Sequence, residues 1–204
     1  MKLSILTALI SILLCSCIEI DLNLQINEDL SGNAELVYRV STLAKELGDF
    51  EEDENFPLPL PVTRENFLAR VEQVEGLSIE SYQQQENEDN IIIQAVIRFN
   101  NPENLNALLT EEDKKITIDT NENLNSMEIR FINNMETEKS QKNMDIANAF
   151  FFDYNIKCSI VVPTAISSIS SGTVTANRRG AQIEYTIPQL LESENAEIWR
   201  VEWQ

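Results

Sequence analysis

Histidine is missing from this chain. Its absence removes the Ser-His-Asp and Cys-His arrangements that activate a nucleophile, and imidazole-ligated zinc with them. The side chains left to weigh for chemistry are three cysteines, Cys15, Cys17 and Cys158, and 34 carboxylates. Two facing carboxylates can cleave a glycoside, but among so many acids some pair always lies close, so that reading has little specificity. Cys158 lies on the apolar side of an alternating stretch, with nothing nearby in sequence to lower its pKa. A buried structural thiol is expected there. Asn27-x-Asp29-x-Ser31-Gly32 and Asp119-x-Asn121-x-Asn123 have the opening spacing of a calcium loop. Their twelfth positions are Tyr38 and Arg130 where that loop needs a bidentate Glu, and Leu124 replaces Gly in the second. Both read as hairpin turns rich in turn formers. The expectation is a non-catalytic protein without metal or cofactor.

Cys17 carries a more specific signal. Met1-Lys2 is a minimal basic start, residues 3–14 form an apolar run broken by Ser4, Thr7 and Ser11, and Cys15-Ser16 precede Cys17. This is the anatomy of a cleaved secretory signal over residues 1–16. The run is shorter than the about 20 apolar residues that span a bilayer. Leu14-Cys15-Ser16-Cys17 resembles the bacterial lipobox: an aliphatic residue, a tolerant position, a small residue, then Cys. That resemblance implies that the Cys17 sulfur takes a diacylglycerol and that the freed amine is acylated, with palmitate or a similar chain. Ordinary secretion with Cys17 as a plain thiol is the alternative. Cys15 then leaves with the signal, Cys17 carries lipid, and Cys158 has no partner for an intramolecular disulfide. Ile18 is not the aspartate that marks inner-membrane retention in many enteric bacteria, which favours the outer membrane over other sites in the cell envelope.

The formal charge of −19 argues against nucleic acid as a partner, because that binding needs Lys or Arg to displace counterions. It argues equally against docking by charge on an anionic membrane face. Lipid on Cys17 must supply the attachment, at about 0.8 kcal/mol for each buried methylene.

The elements that position these residues follow from hydrophobic period. Residues 18–27 alternate without a fault, Ile18, Ile20, Leu22, Leu24 and Ile26 against Glu19, Asp21, Asn23, Gln25 and Asn27, which predicts a half-buried strand directly behind Cys17. Ala34, Leu36, Tyr38 and Val40 give a second strand and a hairpin. A short helix over 43–47, an acidic stretch over 49–55, and Phe56-Pro57-Leu58-Pro59-Leu60-Pro61 in extended geometry follow. Thr63 suits the N-cap of an amphipathic helix ending at Gly76. Residues 77–85 and 90–100 form a second hairpin, with 90–100 central because Ile92 and Val96 make its other face partly apolar. Asn101-Pro102 starts a helix packed by Leu105, Leu108 and Leu109. Residues 115–120 and 126–133 make a third hairpin. A helix over 141–152 precedes a strand ended by Pro163, then a hairpin at 173–176 and 182–187 around Asn177-Arg178-Arg179-Gly180, and a last strand with Trp199, Val201 and Trp203. The arginines read as a solvated turn; the two tryptophans suit either core or cavity wall. The class is α+β: antiparallel β-hairpins forming a twisted sheet, with interleaved helices packed on one face. Residues 17–204 are expected to be a single domain. The hairpin-helix rhythm hints at an internal repeat, without a residue-level match.

Cys17, an alternating strand, the turn Asn27-Glu28-Asp29-x-Ser31-Gly32 and a second strand together resemble LppM-like bacterial lipoproteins, whose members usually have Gly where this chain has Leu30. The strand ending in Pro163, then Ile166, Ser170-Ser171-Gly172 and the hairpin over 173–187 are similar too. The resemblance implies a β-rich domain with helices around an apolar cavity, tied to the envelope and associated with lipid or glycolipid binding.

The apolar residues agree with that expectation. Phe56, Leu58 and Leu60, held extended by proline, are candidates for the lip of a lipid-binding cavity. Phe150, Phe151 and Phe152 are too many aromatics for one helical face, so one or two are candidates for a cavity wall or a membrane contact. Each group has a plainer reading, a strap across the core and packing at a helix end. The leading expectation is a lipid-anchored, non-catalytic envelope protein that binds a hydrophobic or amphiphilic ligand such as a lipid. The alternative is an acidic interaction module that docks another envelope or host protein.

Overall fold

A computed structural model describes residues 18–42, 60–109, 115–121, 124–131, 155–186, 189–190, 193 and 196–204. The helices expected over 43–47 and 141–152, Cys17, Phe56, Leu58 and Phe150 to Phe152 lie outside the described residues.

The perfect alternation after Cys17 folds as β1 (Ile18–Ile26), which pairs antiparallel with β2 (Gly32–Ser41) from Ile18 opposite Val40 to Ile26 opposite Gly32. Gly32 is obligatory at the start of β2, because a Cβ there would lie 1.9 Å from the Gln25 carbonyl oxygen and 2.8 Å from the Phe99 ring. The second hairpin is β3 (Leu77–Glu86) and β4 (Asn90–Phe99), with β4 also paired to β2, so it is an interior strand as expected. The third is β5 (Ile116–Asn121) and β6 (Leu124–Phe131). Then come β7 (Asn155–Val161), β8 (Ile166–Ile169), β9 (Thr173–Val174), β10 (Gly180–Thr186) and β11 (Glu197–Trp203).

The α+β class holds, and its layout differs from one antiparallel sheet in two respects. The strands form two sheets, β3-β4-β2-β1-β7-β10-β9 and β5-β6-β11-β8. Within the larger sheet β1 and β7 run parallel, Ile20 opposite Ile156 to Gln25 opposite Val161, while its other pairings among the described residues are antiparallel. The parallel pair joins two hairpin-built halves, and a parallel neighbour needs a long connection rather than a turn.

Two helices lie against the inner face of the larger sheet. α1 (Arg64–Glu72) is capped by Thr63, whose side chain accepts from the Asn66 amide, and buries Phe67 and Val71. The Phe67 ring meets Tyr82 of β3 at 5.4 Å between centroids. Gly76, expected to end this helix, lies beyond its last turn at φ +89°, a backbone region that glycine enters freely. Residues Pro102–Leu108 form a 3-10 helix capped by Asn101, whose side chain accepts from the Glu103 amide. Side chains of both sheets join one hydrophobic core, in which the Phe131 ring packs edge-on to Tyr185 at 5.2 Å. Trp199 and Trp203 are fully buried there, which decides between core and cavity wall in favour of core. No helix among the described residues is long and apolar enough to cross a membrane.

Candidate functional site

Pairing aligns the inner side chains of the larger sheet in rows, and the rows are not equally covered. Leu24 of β1 lies between Ala34 of β2 and Ile160 of β7, and Ile160 lies beside Ala181 of β10. All four are sealed, none more than 2% exposed. Two rows nearer the start of β1, Ile20 lies between Tyr38 and Ile156, and Ile156 lies beside Tyr185. Tyr38 is sealed, but Ile20, Ile156 and Tyr185 are only half-buried, as is Leu22 in the row between. A central strand thus leaves two inward-facing aliphatic side chains incompletely covered.

Against Ile20 and Leu22 the structure holds an apolar cavity of about 90 Å³. Its other walls are Ala34 and Leu36 of β2, Leu60 ahead of α1, Ile97 of β4, Leu105, Leu108 and Leu109 from the 3-10 helix and its end, and Ile116 of β5. Every described lining residue is aliphatic. The volume is well below the about 300–1,000 Å³ of a pocket that encloses a drug-sized ligand. It suits a few methylene groups, and none of the described lining residues offers a polar side chain for a headgroup.

Polar clamps outside the cavity hold its floor. Asn106 donates to the Ile116 carbonyl at 2.6 Å and accepts from the Lys115 and Ile116 amides at 2.8 and 2.7 Å. Glu103 accepts from the Ile118 amide at 3.0 Å. Arg70 of α1 donates to the Leu108 carbonyl at 3.1 Å. These bonds fix Leu105, Leu108 and Ile116 opposite the sheet while leaving a gap between. The sequence marks Asn106 only as an Asn within a helical run, where it competes with the backbone for hydrogen bonds. On another side, Gln84 donates to the Val62 carbonyl at 3.3 Å and holds the chain just after Leu60.

Of the apolar candidates, Leu60 lies in the cavity wall and is 5% exposed. Tyr38 lies beside it. Burial pushes the Tyr38 phenol well above its ordinary pKa, opposed in part by the nearby Leu60 backbone. The hydroxyl itself has no partner in hydrogen-bond geometry. Cys158 is a free, buried thiol, as expected, and loss of solvation with the Asp21 charge raises its pKa.

A larger open groove, about 700 Å³, lies at the far end of β1, where β1 and β7 end side by side. Gln25 to Asp29, Val161 to Pro163 and Arg179 line it. Of its two acids, Asp29 is committed to the turn. Asp29 accepts from the Ser31 hydroxyl at 2.6 Å and the Ser31 amide at 3.1 Å, which lowers its pKa, and Asn27 donates to the same hydroxyl at 3.0 Å. This turn therefore holds together through its own side chains. The second turn reading also holds: Asn121 and Leu124 pair as the end of the β5–β6 hairpin. Arg178 does more than face solvent, since it sits at φ +58° and donates to the Ile166 carbonyl at 2.9 Å.

No family model matches the chain, and no curated protein matches it. Among solved structures, the NMR structure of the folded domain of LppM from Mycobacterium tuberculosis is similar to it. The match covers 92% of this chain and 89% of that one, with a TM-score of 0.49 and 10% sequence identity.

Proposed function

We propose that this chain is a non-catalytic lipoprotein of the bacterial cell envelope, anchored through lipid on Cys17, whose body takes up the apolar end of a lipid-like ligand. The observation that carries the reading is the aliphatic cavity bounded by β1, with Leu60 in its wall and Ile20 and Leu22 incompletely covered. A protein with no such use for its core gains stability by filling that space. The anchor reading is supported by the lipobox residues and by the start of β1 at Ile18, one residue behind Cys17, which leaves no tether between lipid and body. The absence of aspartate after Cys17 favours an outer-membrane position.

The test is to purify the full-length protein from bacterial membranes, measure its intact mass, and extract it with organic solvent. The expected result is a diacylglyceryl, N-acylated Cys17 as the new N-terminus, with a lipid that co-purifies in the wild type and is lost when Ala34→Phe fills the cavity. An unmodified thiol at residue 17 would overturn the anchor. Equal recovery of lipid from wild type and variant would overturn the cavity as the site. Salt-sensitive capture of a basic protein, with no lipid in the extract, would favour the acidic docking module instead.

A further inference from the structure

Among the described residues four strands edge the two sheets, and they differ in length. β9 has two residues, β8 four and β5 six, whereas β3 has ten. Proteins blunt sheet edges with short strands, proline or lysine, because an open edge pairs with another chain. β3 carries no proline, no lysine and no arginine. Its register shifts once, between Ile79 and Ser81, and the run from Ser81 to Glu86 then pairs regularly with β4. We propose that this run is a docking edge for a basic, extended segment of another protein, which adds to the larger sheet as its next strand. The surface is separate from residue 17 and from the cavity, whose described lining includes no residue of β3.

The hydrogen bonds around β4 fix which groups the edge offers. The Asp89 carbonyl accepts from the Thr42 amide on the β2 side, and the Asn90 carbonyl accepts from the Asn87 amide on the β3 side. Antiparallel partners alternate from there. The register therefore turns the backbone groups of Gln83 and Gln85 toward β4, and those of Tyr82 and Gln84 toward the open edge.

Side chains on the inner face hold those two residues in place. The Tyr82 ring packs on Phe67, its hydroxyl donates to Gln84 Oε1 at 2.8 Å, and the Gln84 amide donates to the Val62 carbonyl at 3.3 Å. An edge fixed in this way needs little further ordering when a strand is added to it.

Charge selects the occupant. The charged residues of β3 are Glu80 and Glu86, the turn after it adds Glu88 and Asp89, and the whole chain carries −19. A second copy of this chain is the wrong partner. Matching Tyr82 of one copy to Gln84 of the other sets Glu80 beside Glu86, and like charges across a strand pair destabilise it. A segment with Lys or Arg meets opposite charge there, and the field of the whole chain speeds its arrival. On the outer face Ser81, Gln83 and Gln85 are exposed, so the residues that alternate with those cations are polar as well.

The probe is a short synthetic peptide alternating Lys and Thr, added at low salt to the full-length protein, with amide exchange followed residue by residue. Without peptide, the Tyr82 and Gln84 amides should exchange freely while those of Gln83 and Gln85 are protected. With peptide, Tyr82 and Gln84 should slow by about tenfold or more. A fully N-methylated form keeps the charge and loses every donor, and it should bind about tenfold more weakly, the equivalent of two lost hydrogen bonds. Gln85→Lys, at an exposed position, should weaken the peptide and leave the fold intact. Equal binding of the two peptides means attraction by charge alone and overturns strand addition. Protection at another edge, or at none, overturns it as well. Equal binding of a peptide alternating Glu and Thr overturns the basic partner. Slowing of Tyr82 and Gln84 that grows with protein concentration in the absence of peptide also overturns it, in favour of a second copy.

Discussion

β1 and β11 are matched strands with different surroundings. β1 alternates apolar and polar residues without a break, β11 does so from Trp199 to Trp203 with apolar Ile198 on its outer face, and each is interior to its sheet. On β11 the inward residues Trp199, Val201 and Trp203 are all fully buried. On β1 Leu24 and Ile26 are buried, while Ile20 and Leu22 are half-buried beside a cavity. Period two decides which side chains face inward. It does not decide what covers them. On β11 large indoles fill their own space, and Trp199 also donates to the Ser171 carbonyl at 2.9 Å. On β1 the cover comes from a 3-10 helix whose position is set by Asn106 and Arg70, not by contact with the strand.

The largest expected effect breaks the better-filled of the two. Trp199→Ala should cost about 3–5 kcal/mol of stability in urea unfolding, from lost burial, a new void and an orphaned Ser171 carbonyl. Leu22→Ala should cost about 1 kcal/mol, since that side chain is half in contact with empty space already. Similar losses for the two would show that β1 is packed as tightly as β11 and would remove the distinction.

Next in size is the response to alkali, which tests the sealed neighbour of Leu22. Cys158 lies opposite Leu22 and is 1% exposed. Its pKa is raised in the fold from an ordinary value of 9.0, by burial first and then by Asp21. A thiol that holds its proton more tightly when folded contributes stability below its unfolded pKa and loses it as pH rises. Stability should fall from pH 9 upward, by at most about 1.4 kcal/mol per pH unit for one such group. Tyr38, raised from 10.0 by burial, adds to the fall at higher pH. Cys158→Ala should flatten the limb between pH 9 and 10 and leave the later part. At neutral pH, maleimide labelling of Cys158 should run at the rate of global unfolding; fast labelling would mean that the opening at Ile20 and Leu22 extends to β7.

How far the sequence could be read follows the same division. Hairpins β1–β2, β3–β4, β5–β6 and β9–β10 are local, each carried by alternation and a turn, and all were legible. The Thr63 and Asn101 caps were legible for the same reason. β8 was not. Ile166-Ser-Ser-Ile169 has its apolar residues three apart, and it is a strand because β11 supplies a partner, with the register shifting between Glu202 and Trp203. The parallel pairing of Asp21 with Lys157, which form an ion pair at 3.1 Å across 136 positions, has no local signal. Leu60 could be named as a cavity residue because proline holds it out of a helix. The cavity itself could not, since it depends on the reach of Asn106 from the 3-10 helix to β5.

A smaller effect sharpens the contrast from the side of β1. Ala34 lines the cavity with a single methyl group and is 1% exposed. Ala34→Val adds two carbons toward the void and suits a strand. A gain of about 0.5–1 kcal/mol in urea unfolding is expected, the usual return for filling a cavity. A loss of more than about 1 kcal/mol, the sign of overpacking, would show that the space is not there to fill.

The smallest effect comes from the turn at the closed end of β1, where two terms nearly cancel. Leu30 sits at φ +66°, in the left-handed region where a leucine is strained. Leu30 keeps part of its side chain against the core, so packing offsets the backbone cost. Leu30→Asn relieves about 1 kcal/mol of strain, because Asn adopts this conformation readily. It gives up about the same in half-buried apolar area. The expected net change is within about 0.5 kcal/mol in either direction. A loss well above 1 kcal/mol would mean that Leu30 is a core residue in its own right, and that tight packing at this end of β1 reaches past Leu24 and Ile26 into the turn.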